Sequence, residues 1–217
     1  LDKDLLIGLG VDRLDYTKGI LERLRAIERM LELHPEMVGR FSFIQIAAPS
    51  RSILEDYRTL DTQVRDLTAR INERFSRGSY RPVHLKIEHH EPELINRYYR
   101  AADVCMVTSL HDGMNLVAKE YIAARDDDRG VLVLSQFTGA AHELHEALIV
   151  NPYHIEQAAD ALHRALIMPD FEQRERMRSM RALVRDFNVY RWAGRMLIDA
   201  ARIRQREKLA SRIGRPL

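Results

Sequence analysis

Short apolar runs alternate with longer amphipathic segments along almost the whole of this chain. The runs lie at residues 5–9, 41–47, 83–88, 104–108, 131–134 and 148–150. Runs of this length that are apolar throughout are typical of strands buried on both faces of a parallel sheet. Parallel strands need long crossovers, and the amphipathic segments are long enough to supply them. The alternation predicts an α/β fold with a single Rossmann-like, doubly wound parallel sheet.

Helices are predicted where apolar residues recur at every third or fourth position. They fall at residues 19–33, 53–75, 92–101, 116–124, 140–145, 155–168, 171–185 and 190–209. The last of these is rich in apolar residues although no strand follows it, and its basic end runs from 202 to 215. Two interpretations stay open for this helix. It packs on its own domain, or it covers something that is absent from the chain.

The composition is that of an ordinary globular protein. The 217 residues carry 34 basic and 32 acidic side chains, and this balance argues against a nucleic-acid or membrane partner. The single cysteine, Cys105, lies in an apolar strand and cannot form an internal disulfide, so we expect a cytoplasmic protein. Because the chain begins at Leu1 rather than at a methionine, we expect a fragment, natural or designed, and leave a homo-oligomer open.

The first polar loop of interest surrounds the end of the first strand. Ligands of open parallel sheets bind at the carboxyl ends of the strands, beside the helix N-termini. Gly8 and Gly10 lack the third glycine that a dinucleotide fingerprint needs. Arg13 and Lys18 follow, and a cation at a helix start opposes the helix dipole unless an anion such as phosphate lies there too. The alternative is that both cations pair with Asp12 or Asp15, in the same loop.

The second polar loop follows the fourth predicted strand. Asn115 is suited to cap the next helix, whose first free N–H groups would then point toward an anion. Gly113 allows a ligand to approach the backbone, and the carboxylates of Asp112 and Glu120 can accept hydrogen bonds from hydroxyl groups. These features indicate a sugar phosphate or a nucleotide sugar. Taken alone, Glu120 is equally suited to pair with a nearby surface cation, Lys119 or Arg125.

Three patterns that resemble metal sites are set aside. Residues 126–128 contain the DxD of metal-dependent transferases, but they follow a helix rather than a strand. His142 and His145 are spaced one position too closely for an HExxH motif, and the adjacent His89 and His90 point in different directions. We therefore predict no metal ion.

Four long, ungapped segments resemble one family closely. They are VDRLDYTKGI at 11–20, DGMNLVAKEY at 112–121, GVLVLSQFTGAA at 130–141 and ALIVNPY at 147–153. With them the chain resembles the donor-binding, C-terminal half of the trehalose-6-phosphate synthases, glycosyltransferase family 20, which have the two-domain GT-B fold. The resemblance implies transfer of glucose from UDP-glucose to glucose 6-phosphate, with retention at the anomeric carbon and without a required metal or other cofactor.

The resemblance also implies roles for single residues. Arg13 and Lys18 would hold the donor diphosphate, Asp112 the glucosyl hydroxyls and Glu120 the ribose. The backbone of His90 would lie by the uracil, and Arg51 would reach the acceptor phosphate. The implied donor-binding set is Arg13, Lys18, His90, Asp112, Gly113, Met114, Asn115, Leu116, Val117 and Glu120, with Arg13, Lys18 and Asp112 acting in catalysis.

A GT-B enzyme needs two domains, and the resemblance accounts for one. We therefore expect a nucleotide-sugar-binding domain at residues 1–186 and, at 187–217, a helix and basic tail that cross back to a missing N-terminal domain. The chain alone is then expected to be inactive. Two alternatives stay open: a glucosylglycerol-phosphate synthase with the same donor-half motifs, and a non-catalytic regulatory subunit of a trehalose synthase complex.

Overall fold

A six-stranded, wholly parallel sheet forms the centre of the protein, in the strand order β3-β2-β1-β4-β5-β6. The computed structural model describes residues 5–50 and 55–213. The strands are β1 Leu6–Arg13, β2 Phe41–Ala48, β3 Val83–Lys86, β4 Val104–Val107, β5 Val131–Ser135 and β6 Leu148–Val150. The order reverses between β1 and β4, which is the switch point of a doubly wound fold. The predicted fold class is confirmed.

Among the residues that the structure describes, seven α-helices connect or follow the strands. They are α1 Ile20–Leu33, α2 Glu55–Phe75, α3 Pro92–Ala101, α4 Leu116–Ala124, α5 Ile155–Leu166, α6 Asp170–Asp186 and α7 Val189–Ile213. The helix predicted over 140–145 is wrong, because a short 3-10 turn, Gly139–His142, stands there. The N–H groups of Gly139 and Ala140 bind the loop after β4, and those of Ala141 and Glu143 close tight turns onto the carbonyls three residues earlier, so no α-helix develops.

The core lies in two layers, one on each face of the sheet. Helices α1, α2 and α5 bury Leu24, Val64 and Leu162 on one face. Helices α3, α4 and α6 cover the other, where Cys105 is fully buried. Burial raises the pKa of the Cys105 thiol to about 12, so this residue belongs to the core, as the sequence predicts.

Strand β1 is longer than predicted and contains both glycines that the sequence places near a loop. A side chain at Gly8 would begin 2.6 Å from the Phe43 ring, and one at Gly10 would begin 2.5 Å from the Arg23 guanidinium. The glycines are therefore required by packing beneath the sheet edge rather than by a phosphate. This agrees with the poor match to a dinucleotide fingerprint.

The last helix, α7, presents large apolar side chains to solvent. Tyr190, Trp192 and Leu197 are 83%, 64% and 69% exposed. No helix in the described ranges, 5–50 and 55–213, is long and apolar enough to cross a membrane. Exposed apolar side chains of this size are more typical of an interface than of a solvated helix.

Candidate functional site

A cavity of about 500 Å³ lies at the carboxyl ends of β1 and β2, beside the N-terminus of α4. It contains most of the residues predicted to bind a donor. These are Arg13, Lys18, His90, Asp112, Met114, Asn115, Leu116 and Val117. Gly113 is exposed nearby, with open space where a side chain would stand. Glu120 lines a second cavity of about 610 Å³, and His90 lines both cavities.

Lys18 and Asp112 form an ion pair in the first cavity, with 2.7 Å between Nζ and Oδ2. Burial would raise the pKa of the Asp112 carboxyl, but the Lys18 ammonium and the Asn115 amide lower it below its usual value. The alternative that Lys18 pairs with Asp12 or Asp15 is wrong. Because Asp112 already offsets the charge of Lys18 at this helix start, the position of Lys18 does not by itself require a phosphate there.

Asn115 caps α4, as predicted. Its side-chain oxygen accepts a hydrogen bond from the Ala118 N–H at 3.0 Å, and its amide nitrogen donates to Asp112 Oδ2 at 3.0 Å. The cap therefore occupies the Ala118 N–H, the third N–H group of α4, so this group is not free to bind an anion. Within the described ranges, the N–H groups of Leu116 and Val117 donate to no protein acceptor, so two donors remain at a helix N-terminus beside the cavity.

The loop that carries Asp112 is held by the loop that follows β5. The Asp112 N–H donates to the Phe137 carbonyl at 3.1 Å, and the Gly139 N–H donates to the Asp112 carbonyl at 3.0 Å. The Ala140 N–H donates to the Met114 carbonyl at 2.9 Å. A side chain at Gly139 would overlap the neighbouring carbonyl between Asp112 and Met114. Only the family motif at 130–141 signalled this loop, and it gave no role for Gly139.

Arg23 is a buried cation beneath the cavity that sequence reasoning missed. Its guanidinium binds groups on β1, β2, the end of β4 and the turn before α1: Asp12 Oδ2 at 2.5 Å, Gln45 Oε1 at 2.9 Å, Thr108 Oγ1 at 2.9 Å and the Lys18 carbonyl at 3.3 Å. The side chain of Arg23 has no exposed surface, and that of Asp12 is 3% exposed. The sequence does place Arg23 on the apolar face of α1, three residues after Ile20, and this position could have indicated that it is buried.

Arg13 ends β1 and is exposed at the mouth of the cavity. Within the part of the chain that the structure describes, Arg13 makes no ion pair. Burial would raise the pKa of Asp15, but hydrogen bonds from Thr17 and the charges of Arg13 and Lys18 lower it. The cations thus act on Asp15 at a distance rather than as ion-pair partners. Arg51, predicted to bind the acceptor phosphate, lies outside the described residues.

His90 lies between the two cavities. Its side chain is 4% exposed while the residue as a whole is half-buried, so its accessible atoms are mainly those of the backbone. The ring packs against Tyr98 with 5.8 Å between centroids, and its Nε2 lies 3.6 Å from Glu88 without a hydrogen bond. A ligand in either cavity would therefore meet the His90 backbone before its imidazole.

Glu120 pairs with neither of the surface cations considered for it. Its Oε2 accepts a hydrogen bond from the Tyr99 hydroxyl at 3.0 Å. Lys119, for which the sequence gave no role, forms an ion pair with Glu143 at 2.6 Å. Arg125 is buried and donates to backbone carbonyls at the end of α3. Both alternatives for Glu120 are wrong, and one of its oxygens remains directed to no described donor.

The acidic turn at 126–128 joins α4 to β5 at the amino ends of the strands, opposite the cavity, and its carboxylates bind arginines. Asp126 pairs with Arg100, Asp127 with Arg125, and Asp128 with Arg178 and Arg181. Each carboxylate is thus compensated by a guanidinium. These ion pairs favour a turn on the protein surface rather than the metal-binding DxD of a transferase.

One other group in the described ranges has the composition of a metal site: His34, Glu36 and His163. The two imidazole rings stack with 3.4 Å between centroids and 7° between planes. Lone pairs of parallel rings run side by side and do not converge on one ion. The cluster also lies at the end of α1, away from the cavity, and we assign it to helix packing.

Comparison with known proteins places these features in a family. The sequence model described as Glycosyltransferase family 20 matches residues 1–202. The α,α-trehalose-phosphate synthase (UDP-forming) of Pichia angusta is 40% identical over 201 residues, which cover 93% of this chain and 42% of that protein. The chain spans less than half the length of the curated relatives it matches first.

Solved structures agree with this assignment over the fold. A Burkholderia xenovorans α,α-trehalose-phosphate synthase (UDP-forming) in complex with glucose-6-phosphate superposes with a TM-score of 0.88 at 44% identity, over 90% of this chain and 44% of that one. An Escherichia coli relative bound with UDP-2-fluoro glucose gives a TM-score of 0.89 at 40% identity, over 91% of this chain and 44% of that one.

Proposed function

Because this chain belongs to glycosyltransferase family 20, we propose that it is the donor-binding half of a UDP-forming α,α-trehalose-phosphate synthase. Such an enzyme transfers glucose from UDP-glucose to glucose 6-phosphate and forms trehalose 6-phosphate and UDP. One observation carries the proposal: a single cavity joins Arg13 and Lys18, a helix N-terminus with two free N–H groups, and the Asp112 carboxylate. Cations suit a diphosphate, and a carboxylate suits sugar hydroxyls.

The diphosphate would lie between the two cations and the N-terminus of α4. When the bond from the anomeric carbon to the β-phosphate breaks, negative charge grows on the departing UDP. Arg13, Lys18 and the N–H groups of Leu116 and Val117 would stabilise that charge without reorganising. We propose that they take the place that a divalent ion has in other sugar transferases, so that no metal is required.

Lys18 would change partners when the donor binds. In the free chain its ammonium is bound to Asp112, and a diphosphate would compete for it. Asp112 would then accept hydrogen bonds from the glucosyl hydroxyls. The acceptor hydroxyl would attack on the face from which UDP leaves and pass its proton to a phosphate oxygen, which gives retention without a covalent intermediate on the protein.

The acceptor would be held largely by a domain outside this chain. The two solved structures compared above match over 44% of their own length, and the Burkholderia xenovorans one contains glucose-6-phosphate. Of the predicted acceptor contacts, this chain would supply Arg51 alone. We therefore propose that these 217 residues bind the donor weakly and transfer no glucose by themselves.

Calorimetric titration of the chain with UDP-glucose, ADP-glucose and GDP-glucose tests the donor assignment. We expect binding of UDP-glucose that is weakened about tenfold or more by Lys18→Ala, because a charge-assisted contact to phosphate is lost. Lys119→Ala is the matched control, since Lys119 pairs with Glu143 on the surface of the same domain. The affinities should not change in EDTA.

Two results would contradict the proposal. Equal heats for all three nucleotide sugars and for the Lys18→Ala variant would remove the donor site. Loss of UDP-glucose binding in EDTA, restored by magnesium or manganese, would remove the metal-independent part alone.

A further inference from the structure

We propose that Tyr99 is a positioning residue that fixes Glu120 for the ribose of the bound nucleotide. The inference rests on the proposed function, which assigns the ribose to Glu120. Tyr99 lies on α3 and Glu120 lies on α4, and the phenol hydroxyl donates to Glu120 Oε2 at 3.0 Å. The hydrogen bond therefore joins a buried residue of one helix to an exposed residue of the next.

Tyr99 is held firmly enough to position another residue. It is 3% exposed, and its ring packs edge-on against Tyr121 with 6.2 Å between centroids. Its backbone carbonyl accepts a hydrogen bond from the buried Arg125 guanidinium at 3.2 Å. A ring packed in this way keeps its hydroxyl in one place.

The hydroxyl of Tyr99 is a permanent donor. Burial raises the pKa of Tyr99 above its usual value, and the carboxylate of Glu120 adds to the rise. The phenol therefore stays protonated throughout the neutral range and donates to the carboxylate.

The other oxygen of Glu120 is left for a ligand. Among the described residues, no donor binds Glu120 Oε1. Tyr99 and Glu120 both line the cavity of about 610 Å³, and His90, the predicted neighbour of the base, lines it as well. A carboxylate that is fixed through one oxygen presents the other in a defined direction, where a ribose with two hydroxyls can donate to it.

An unsupported glutamate would bind the same ribose less well. Its side chain has several rotatable bonds, and ordering them when the nucleotide arrives costs conformational entropy. Tyr99 supplies this order before binding, so that less of the binding free energy is lost. The effect should appear only with ligands that carry the ribose hydroxyls.

The test measures the affinities of UDP and of 2′,3′-dideoxy-UDP for the chain by calorimetry. We expect Tyr99→Phe to weaken UDP binding roughly threefold to tenfold, as for loss of a hydrogen bond, and to leave dideoxy-UDP unchanged. Tyr121→Phe is the matched control. It removes an equally buried hydroxyl, bound to the Ala102 carbonyl at 3.3 Å, without touching Glu120. In a Glu120→Ala background, Tyr99→Phe should have no further effect.

The outcomes separate this inference from the proposed function. If the unmodified chain binds no UDP, both are overturned. If it prefers UDP over dideoxy-UDP, and Glu120→Ala abolishes the preference while Tyr99→Phe preserves it, the donor site stands and the role of Tyr99 is overturned. If Tyr99→Phe weakens both nucleotides equally, the hydroxyl acts through packing, and the inference is likewise overturned. Unchanged dideoxy-UDP binding also shows that the variant is folded.

Discussion

Asp112 has different partners in the free site and in the proposed complex. In the free chain, its Oδ2 accepts hydrogen bonds from Lys18 at 2.7 Å and from Asn115 at 3.0 Å. In the proposed complex a diphosphate would bind Lys18, and the Asp112 carboxylate would become available to sugar hydroxyls. On this proposal, Lys18 and Asp112 would contact different parts of the donor, and substitution should separate the two contacts.

We expect Asp112→Asn to separate the binding of UDP from that of glucose. The neutral amide no longer holds Lys18, so UDP should bind at least as well as before. UDP-glucose should lose about tenfold in affinity, because a charged acceptor of hydroxyl hydrogen bonds is replaced by a weaker one. Titrations with both ligands check this, with Asp126→Asn as the control in the acidic turn opposite the cavity. A tenfold loss for UDP itself would contradict the separation.

The loops after β4 and β5 behave as one unit because three backbone hydrogen bonds join them.

The strands and most helices could be predicted from the sequence, since apolar spacing depends on near neighbours. The support of Asp112 by Gly139 could not, because it joins residues that are distant in sequence through backbone atoms. The helix predicted at 140–145 is wrong for a related reason: the backbone N–H groups of Gly139 and Ala140 bind the loop after β4, and only a short 3-10 turn forms there.

Gly139→Ala tests the joint between these loops. A methyl group there overlaps the carbonyl of Gly113, so the loop that carries Asp112 must move. We expect UDP-glucose affinity to fall by about tenfold or more and the free energy of unfolding to fall by roughly 1–3 kcal/mol. Gly194→Ala is the control, since open space surrounds Gly194 in α7. Calorimetry and chemical denaturation measure both effects, and a Gly139→Ala variant with unchanged affinity would refute the coupling.

The sheet and its first six helices form a complete core, whereas α7 leaves large apolar side chains exposed. The sequence raised this possibility through the apolar content of the last segment but could not decide it. We propose that an N-terminal domain outside this chain covers α7, in line with the domains predicted at 1–186 and 187–217.

Trp192 reports on the covering of α7, because it is the only tryptophan in the chain and is 64% exposed. We expect the emission of the dilute chain to be that of a solvated indole, readily quenched by acrylamide. Addition of the separately produced N-terminal half should shift the emission to shorter wavelength and reduce quenching, since burial removes water from the ring. A Trp192 that is already protected at the lowest concentration, or that never responds to the other half, would contradict this placement.

The buried guanidinium of Arg23 has a consequence for how such enzymes can diverge. All of its partners, Asp12, Gln45, Thr108 and the Lys18 carbonyl, belong to this chain. The side chains beneath the cavity and the Lys18 backbone that they hold are therefore all encoded in this one segment. If the proposed donor site is right, a different neighbouring domain could be joined to these residues, and a new acceptor adopted, without rebuilding the part of the site that would bind the nucleotide sugar.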